Sequence, residues 1–181
     1  NKNYILNYFK TRNVKISSVE RRSREELGEN EVTNYEFLIN RVFKKNNLRK
    51  NILDVGSGDL FLKKPLIERG YDYNSIDIDK IDFNSEKFPY KDDLFENVIC
   101  LAVLEHLHNP VFFIREINRV TKKGGTIFLS TPNWSYSYKN FFDDYTHIRP
   151  YTKKSLYHIF EDNNFEQISI LPGYRNKPFW M

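Results

Sequence analysis

The residues best suited to bind a charged ligand lie in one short segment, which runs from Asp54 to Gly58. Apolar residues surround the acid, as is typical of a strand. Gly56 and Gly58 come next, and glycine permits a tight turn and a close approach of the backbone to a ligand. The helical pattern that begins at Leu60 would offer its free N–H groups to that ligand. This arrangement is typical of a nucleotide-binding site at the carboxyl end of a parallel strand.

A second acid follows about 20 residues beyond the glycine turn, at the distance where nucleotide-binding sheets place a ribose-binding carboxylate. Asp77 is the residue we predict for this role, with Asp79 as the alternative. Asp82 and Phe83 come shortly afterwards. They could bond the exocyclic amine of an adenine and lie against its ring. The spacing therefore predicts an adenosine-type binding site.

A third group of reactive side chains occupies residues 143–152, after the strand that we predict at 125–130. His147 can accept a proton from a hydroxyl near neutral pH. Asp144 could orient its ring, and His106 could line the same mouth. The alternatives are that His147 caps a helix or bonds a backbone carbonyl, and that His106 is a hydrogen-bonded residue of the pocket wall.

These residues are separated by a pattern in which strands and helices alternate. We predict strands at 51–55, 73–77, 96–101 and 125–130, a short extended piece at 81–83, a last strand at 165–171, and helices at 33–45, 60–69, 110–121 and 152–163. Such alternation predicts an α/β fold with a doubly wound, mostly parallel sheet. No room remains for a helix between the second and third strands.

Three local signals mark the predicted helix ends. Thr33 followed by Glu36 resembles a capping box at the start of the first helix. Asn109 and Pro110 suit the cap and first turn of a later helix, which the Gly124-Gly125 pair would end.

Composition and charge bound the possible functions. The 181 residues carry a net charge of +4, and residues 1–50 hold 12 basic and 6 acidic side chains. We predict a basic helical extension at 1–50 and a ligand-binding domain at 51–181. Nucleic acid is not expected as a partner, because the basic groups do not surround the predicted site. Self-association is left open.

The chain also carries signals of its cellular setting. The single cysteine, Cys100, lies in an apolar run, so we predict a buried inert thiol in a reducing compartment, the cytoplasm. No run approaches the about 18–20 apolar residues of a membrane span.

The joint order of the motifs is similar to that of class I S-adenosylmethionine-dependent methyltransferases over about residues 50–170. The segments that carry the resemblance are Leu53-Asp54-Val55-Gly56-Ser57-Gly58, Ile76-Asp77-Ile78-Asp79, Phe88-Pro89-Tyr90, Leu104-Glu105-His106-Leu107, Arg119-Val120 with Gly124-Gly125, and Leu129-Ser130-Thr131-Pro132-Asn133. Two positions depart from the family pattern: Leu60 stands where many members have a third glycine, and Asn97 replaces a frequent Asp.

This resemblance implies a Rossmann-like fold, S-adenosylmethionine as cofactor, and a set of residues that hold it. Those residues are Asp54 with the Gly56-Ser57-Gly58 backbone for the aminoacyl end, Asp77 and Ile78 for the ribose, Asp82 and Phe83 for the adenine, Leu101 and Ala102 over the sugar and methionine, and His106 at the mouth. A dinucleotide-dependent oxidoreductase is the competing interpretation, but Phe61 stands where its last glycine should be.

The segment Asp144-x-Thr146-His147-x-Arg149-Pro150-Tyr151-Thr152, with Pro132-Asn133-Trp134 before it, resembles methyltransferases associated with bacterial surface polysaccharides and other glycans. It implies O-methylation of a sugar hydroxyl in a glycan, nucleotide-sugar or similar small acceptor. The acceptor-binding residues we predict are Asn133, Trp134, Tyr145, Arg149 and Tyr151. The aromatic side chains suit sugar C–H surfaces, although they could equally form a loop that packs on the core.

Two further interpretations remain. Small-RNA 2′-O-methyltransferases share a Glu-His pair and a later His that help to hold a divalent metal, roles open to Glu105, His106 and His147. The remaining glutamate ligand would fall at Ala102, so we predict no metal site. A non-catalytic partner subunit with the cofactor fold is the other possibility, and the intact Asp54 and Asp77 argue against it.

Overall fold

The computed structural model describes residues 18–43 and 50–171. In chain order the elements are α1 (Ser18–Phe43), β1 (Asn51–Val55), α2 (Lys63–Glu68), β2 (Asp72–Ile76), β3 (Phe95–Leu101), α3 (Pro110–Val120), β4 (Thr121–Ser130), α4 (Trp134–Ser137) and α5 (Lys153–Glu161), with 3-10 turns at Leu104–His106 and Phe141–Asp143. None of the helices in these ranges has both the length and the apolarity needed to cross a bilayer.

The four strands form one parallel sheet in the order β2-β1-β3-β4. β1 pairs with β2 on one side and with β3 on the other, so their carboxyl ends meet at one edge. No helix lies between β2 and β3 within residues 77–94. The predicted fold class is therefore confirmed, including the missing helix.

Apolar side chains cover both faces of the sheet. Ile52 of β1 packs with Val32, Tyr35 and Ile39 of α1, in a cluster to which α2 also contributes. The neighbouring Leu53 points to the opposite face, where the buried side chains of α3 and α5 lie. Alternation along a strand sends successive side chains to opposite faces. The sheet is doubly wound because each face needs its own helical layer.

The first helix begins well before the predicted start. α1 already includes Ser18, and Thr33 lies inside it, where its hydroxyl donates to the Glu29 carbonyl oxygen at 2.8 Å. The capping-box prediction at Thr33 was therefore wrong, because the hydroxyl bonds back to the preceding turn instead of capping. The predicted end at residue 45 lies outside the described residues.

An ion-pair network fastens α1 to the rest of the domain. The Arg69 guanidinium, just after α2, bonds Glu36 at 2.6 Å and Glu29 at 2.8 Å. Burial of the Ile39 side chain against the sheet stabilises the folded state by about 1.5–3 kcal/mol. Thus the boundary predicted at residue 50 separates two segments that share one core, while residues 1–17 of the predicted extension lie outside the described residues.

Other element boundaries differ at glycines and turns. Asn109 and Pro110 start α3 as predicted, with the Phe112 N–H donating to the Asn109 side chain at 3.3 Å. The glycine pair does not end this helix, because β4 begins directly at Thr121. Gly124 has φ +70° inside β4, next to a shift in the β3–β4 register. The pair therefore belongs to a strand irregularity.

The strand predicted at 165–171 is absent from the described structure, where these residues form no strand. The short extended piece predicted at 81–83 does not join the sheet and leads into a turn.

Candidate active site

The glycine turn and the predicted ribose acid come together at the carboxyl edge of the sheet. Val55 and Ile76 are partners in the β1–β2 register, so each strand ends beside the other. The Asp77 carboxylate accepts a hydrogen bond from the Gly58 N–H at 2.6 Å and from the Ile78 N–H at 2.7 Å. Asp79 is exposed. The geometry favours Asp77 over Asp79 as the acid that faces the turn.

The turn requires glycine at its first position. Gly56 has φ +75°, and a Cβ added there would lie 2.2 Å from Cγ2 of Val103. Gly58 also has a positive φ, +52°, with open space around it. Leu60, where many relatives of this class carry a third glycine, keeps φ +62°. The backbone therefore holds a glycine-type conformation at a leucine.

Asp54 lies beneath this turn as a buried acid. It is 3% exposed, and the Tyr73 hydroxyl donates to its Oδ2 at 2.8 Å. Burial raises the pKa of Asp54 to about 7, and the charge of Asp77 adds to the shift, while the Tyr73 hydrogen bond opposes it. The pKa of Asp77 is raised as well, chiefly by burial. Ser57 is buried beside them.

The residues predicted to contact adenine belong to the loop after β2, which is held together by internal hydrogen bonds. The Asp82 carboxylate accepts from the Asn84 N–H at 3.0 Å and from the Ser85 hydroxyl at 2.9 Å. Phe83 is 1% exposed and packs on Phe88 and Phe113, with centroids 5.7 and 5.4 Å away. Phe83 thus supports the loop from the core, and adenine contacts of Asp82 and Phe83 stay predictions.

Asn84 is a structural residue of this loop that the sequence interpretation missed. Its side-chain oxygen accepts from the N–H groups of His108 and Asn109, at 2.8 and 3.0 Å. It fastens the loop to the start of α3. An asparagine after an acid carries no periodic signal, so only the tertiary structure identifies it.

Ala102 adopts a strained conformation directly after β3. Its φ is +52°, a region that L-residues other than glycine rarely occupy, and its N–H donates to the Ser130 carbonyl at 3.0 Å. Ala102 is exposed and Leu101 is half-buried at the same edge. Their contact with the cofactor sugar stays a prediction, and the strain gave no sequence signal.

The two predicted active-site histidines lie side by side, with ring centroids 4.8 Å apart. Nδ1 of His106 lies 3.0 Å from the Thr146 carbonyl oxygen, and Nδ1 of His147 lies 2.7 Å from the Phe141 carbonyl oxygen. Because a carbonyl oxygen only accepts, Nδ1 of each ring carries a proton, and in the neutral ring the lone pair lies on Nε2. Among the described residues, no hydrogen bond reaches either Nε2.

Asp144 is linked to His106 through Thr146. Its carboxylate accepts from the Thr146 hydroxyl at 2.6 Å, and that hydroxyl lies 2.9 Å from Nδ1 of His106. Nδ1 of His147 lies against the Phe141 carbonyl oxygen, and a role of Asp144 in orienting the His147 ring stays a prediction. Asp144 therefore supports His106 through Thr146.

Glu105 is the residue of this site for which the sequence interpretation predicted no catalytic or binding role. It is 0% exposed, its Oε2 accepts from the Thr131 hydroxyl at 3.0 Å, and its Oε1 has no hydrogen-bond partner. Burial raises the pKa of Glu105, while the Thr131 hydrogen bond and the nearby His106 and His147 act in the opposite direction. With His106 and His147 it forms a group that could hold a metal ion.

The predicted acceptor residues separate into structural and exposed ones. Asn133 caps α4 by accepting from the Ser135 N–H at 3.1 Å. Tyr151 is 4% exposed and belongs to the core cluster, and its role in acceptor binding stays a prediction. Trp134 packs on the ring of Phe141, with centroids 5.7 Å apart. Tyr145 and Arg149 are exposed, and the Arg149 guanidinium donates to the His108 carbonyl at 3.3 Å.

The donor set fits an adenosyl cofactor with a cationic aminoacyl end. The turn at Gly56 tolerates no side chain, so its backbone can approach a ligand closely. Asp77 beside the turn and the buried Asp54 supply the acidic groups that such a ligand needs.

Solved structures with the same architecture indicate the class. The chain is similar to a SAM-dependent methyltransferase from Archaeoglobus fulgidus, with a TM-score of 0.62 and 22% identity over 78% of this chain and 69% of that one. It is also similar to a SAM-dependent methyltransferase, possible histamine N-methyltransferase, from Thermotoga maritima, with a TM-score of 0.52 and 17% identity over 76% and 79% of the two chains. These likenesses show the fold of the class I S-adenosylmethionine-dependent methyltransferases.

The family follows from the sequence itself. A family model described as a methyltransferase domain matches residues 29–170, so the chain belongs to that family. S-adenosylmethionine is the cofactor that this class uses. The match begins inside α1, in agreement with a helix that shares the core of the sheet.

Curated relatives cover part of the chain. Ubiquinone biosynthesis O-methyltransferase from Pseudomonas paraeruginosa is 31% identical over 107 residues, which are 46% of this chain and 45% of that protein. Its namesakes from Dechloromonas aromatica and Rickettsia typhi are 32% identical over 107 residues and 30% over 118, covering 46% and 54% of this chain and 45% and 48% of those proteins. The chain spans about half the length of the curated relatives it matches.

Proposed function

We propose that this protein transfers a methyl group from S-adenosylmethionine to a hydroxyl oxygen of a small acceptor. The observation that carries the proposal is the side-by-side placement of His106 and His147, whose Nδ1 atoms each lie against a backbone carbonyl oxygen. A neutral imidazole held in this way can accept at Nε2 the proton that a hydroxyl loses when its oxygen is methylated. The relatives from Pseudomonas paraeruginosa, Dechloromonas aromatica and Rickettsia typhi are named as O-methyltransferases, which supports oxygen as the acceptor atom.

The residues divide the work between binding and proton transfer. When bound, S-adenosylmethionine supplies an activated methyl group on a sulfonium sulfur. Asp54 and the Gly56–Gly58 backbone would hold the aminoacyl end, and Asp77 would hold the ribose. Nε2 of His147 accepts the acceptor proton, and His106 lines the mouth. Alignment of the two reactants is the main task of such a site.

Two acceptor classes have support. The exposed rings of Tyr136, Tyr138 and Tyr145 offer faces that suit the C–H surface of a sugar, and they support a sugar hydroxyl of a glycan or nucleotide-sugar. The relatives favour a hydroxyl of the kind found in ubiquinone biosynthesis. A panel of nucleotide-sugars and hydroxylated ubiquinone precursors, followed by release of S-adenosylhomocysteine, decides between them: the class that gives turnover is the acceptor.

A pair of variants tests the cofactor and proton-transfer roles separately. Asp77→Ala should weaken S-adenosylmethionine binding at least about 100-fold in calorimetry, because the ribose loses its charge-assisted hydrogen bonds. His147→Asn should leave this affinity within about threefold and lower turnover about 100-fold or more, the usual range for a lost general base.

His158→Asn is the matched control, since His158 is an exposed histidine of α5 that bonds Glu161. It should change neither quantity. Near-normal cofactor affinity in Asp77→Ala would refute the ribose assignment, and unaltered turnover in His147→Asn would remove His147 as the base.

A further inference from the structure

Glu105, His106 and His147 bring three electron-rich groups to one point. Each offers one ligand atom, and these atoms all lie within 4.8 Å of one another. Glu105 and His106 belong to the 3-10 turn after β3, while His147 comes from the loop after the turn Phe141–Asp143. The fold therefore assembles the group from two segments about 40 positions apart, which no local sequence pattern would join.

The hydrogen bonds orient both imidazoles as metal ligands. Each ring donates its Nδ1–H to a backbone carbonyl, at 3.0 Å for His106 and 2.7 Å for His147. Metal-binding histidines almost always donate the second ring N–H to a carbonyl or carboxylate, which fixes the tautomer. Asp144 extends this support to His106 through the Thr146 hydroxyl.

One oxygen of the Glu105 carboxylate lacks the partner that burial would normally require. Within residues 18–43 and 50–171, its buried Oε1 has no hydrogen-bond partner, and neither does the buried Tyr151 hydroxyl. A buried unsatisfied polar group costs about 1–3 kcal/mol, and more when it is charged. The Glu105 carboxylate and the two neutral imidazoles would direct lone pairs at one point with no donor between them. A bound cation would remove their mutual repulsion and would give the unpartnered Oε1 of Glu105 a ligand bond in place of its missing hydrogen bond.

We propose that Glu105, His106 and His147 bind a divalent transition-metal ion, with Zn²⁺ as the cation their chemistry favours. Two imidazoles and one carboxylate form a set typical of zinc and iron sites, whereas Mg²⁺ and Ca²⁺ prefer oxygen ligands throughout. Ligands bound to tetrahedral zinc lie about 3.3 Å apart, given bond lengths near 2.0–2.1 Å. The group therefore contracts by about 1.5 Å at most when it binds the ion.

The ion would have a direct use in methyl transfer to oxygen, and this part rests on the proposed function. Three protein ligands leave a coordination position open for the acceptor hydroxyl. A bound cation lowers the pKa of that hydroxyl, which then loses its proton to solvent near neutral pH. The Nε2 atom of His147 would serve as a ligand in this state, and no separate base is needed.

Calorimetric titration of Zn²⁺ into the tag-free, chelator-treated full chain tests the site without cofactor or acceptor. We expect one ion per chain with a Kd of micromolar or below, and a visible spectrum of four- or five-coordinate Co²⁺ on cobalt substitution. His147→Ala and Glu105→Gln should weaken binding at least 100-fold. Thr146→Val, which keeps the carbonyl but removes the hydroxyl that supports His106, should weaken it about tenfold.

His158→Ala is the control variant and should bind as tightly as the wild type, and circular dichroism verifies that each variant folds. Zn²⁺ binding that is equal in wild type and His147→Ala, or a Co²⁺ spectrum that matches the aqueous ion, would overturn the site. Because binding is read without S-adenosylmethionine, it is independent of catalysis. Turnover that survives complete chelation would overturn the role of the ion and leave methyl transfer standing.

Discussion

Asp54 shows how burial can make one residue sensitive to pH in the physiological range. Its carboxyl group lies under the glycine turn with one hydrogen bond, from Tyr73, and its pKa is raised to about 7 by burial. A carboxyl is charged above its pKa and neutral below it. If Asp54 attracts the cationic end of the cofactor, that attraction is complete at pH 8 and fades below pH 7.

We therefore expect the Kd for S-adenosylmethionine to rise as the pH falls from 8 to 6, by up to about tenfold per pH unit below the pKa. Tyr73→Phe removes the hydrogen bond that favours the charged form, so the midpoint of this profile should move to higher pH. Calorimetry across the pH range measures both effects. A Kd that stays flat between pH 6 and 8 would rule out Asp54 as the group that binds the cofactor charge.

At the scale of secondary structure, strands were predicted more accurately than helix ends. The alternating apolar pattern located β1 at 51–55 and the other three strands within a few residues of their starts or ends. The helix predicted at 60–69 begins only at Lys63, because Leu60 has φ +62° and interrupts the helical conformation. A leucine gives no sign of a left-handed backbone, so this boundary was not predictable from the residue type.

Leu60→Gly should stabilise the turn between β1 and α2. A left-handed conformation costs an L-residue about 1–2 kcal/mol, and glycine adopts it readily but loses more entropy on folding. Leu60 is 38% exposed, so both glycine and alanine at this position lose part of its apolar burial. We therefore compare the two variants, and we expect the free energy of unfolding of Leu60→Gly to exceed that of Leu60→Ala by about 1 kcal/mol, a difference in Tm of about 2–4 °C.

Leu60→Ala is the control, since alanine keeps the left-handed penalty and also loses the side chain. It should be no more stable than the wild type in thermal denaturation. A Leu60→Gly variant that melts at or below the temperature of Leu60→Ala would show that the positive φ is not a source of strain.

At the scale of the whole molecule, the distribution of charge distinguishes a small acceptor from RNA. The net charge is +4, with an excess of basic residues in the first 50 positions, and the cofactor edge carries the acids Asp54 and Asp77 instead. Proteins that bind nucleic acid surround the site with basic side chains and lose affinity steeply with salt. This distribution favours a small acceptor over RNA.

Turnover on a small acceptor should therefore change less than about threefold between 50 and 200 mM salt. An RNA acceptor whose phosphates contact several basic residues would lose about 10³-fold or more in affinity over the same range. Measurement of kcat/KM at both salt concentrations, with an uncharged small acceptor as reference, distinguishes the two. A steep fall for the physiological acceptor would favour the RNA interpretation.

The order of residues along the chain was enough to identify the fold class and the cofactor class, and to predict a role for the acid at position 77. These inferences depend on local patterns: alternation of strands and helices, glycines after a strand, and an acid at a set spacing. The tertiary structure alone decided which side chains meet. Asp144 is linked to His106 through Thr146, Tyr151 lies in the core, and Glu105 joins two histidines from separate segments. Such contacts arise from packing between distant segments, which no spacing within one segment encodes.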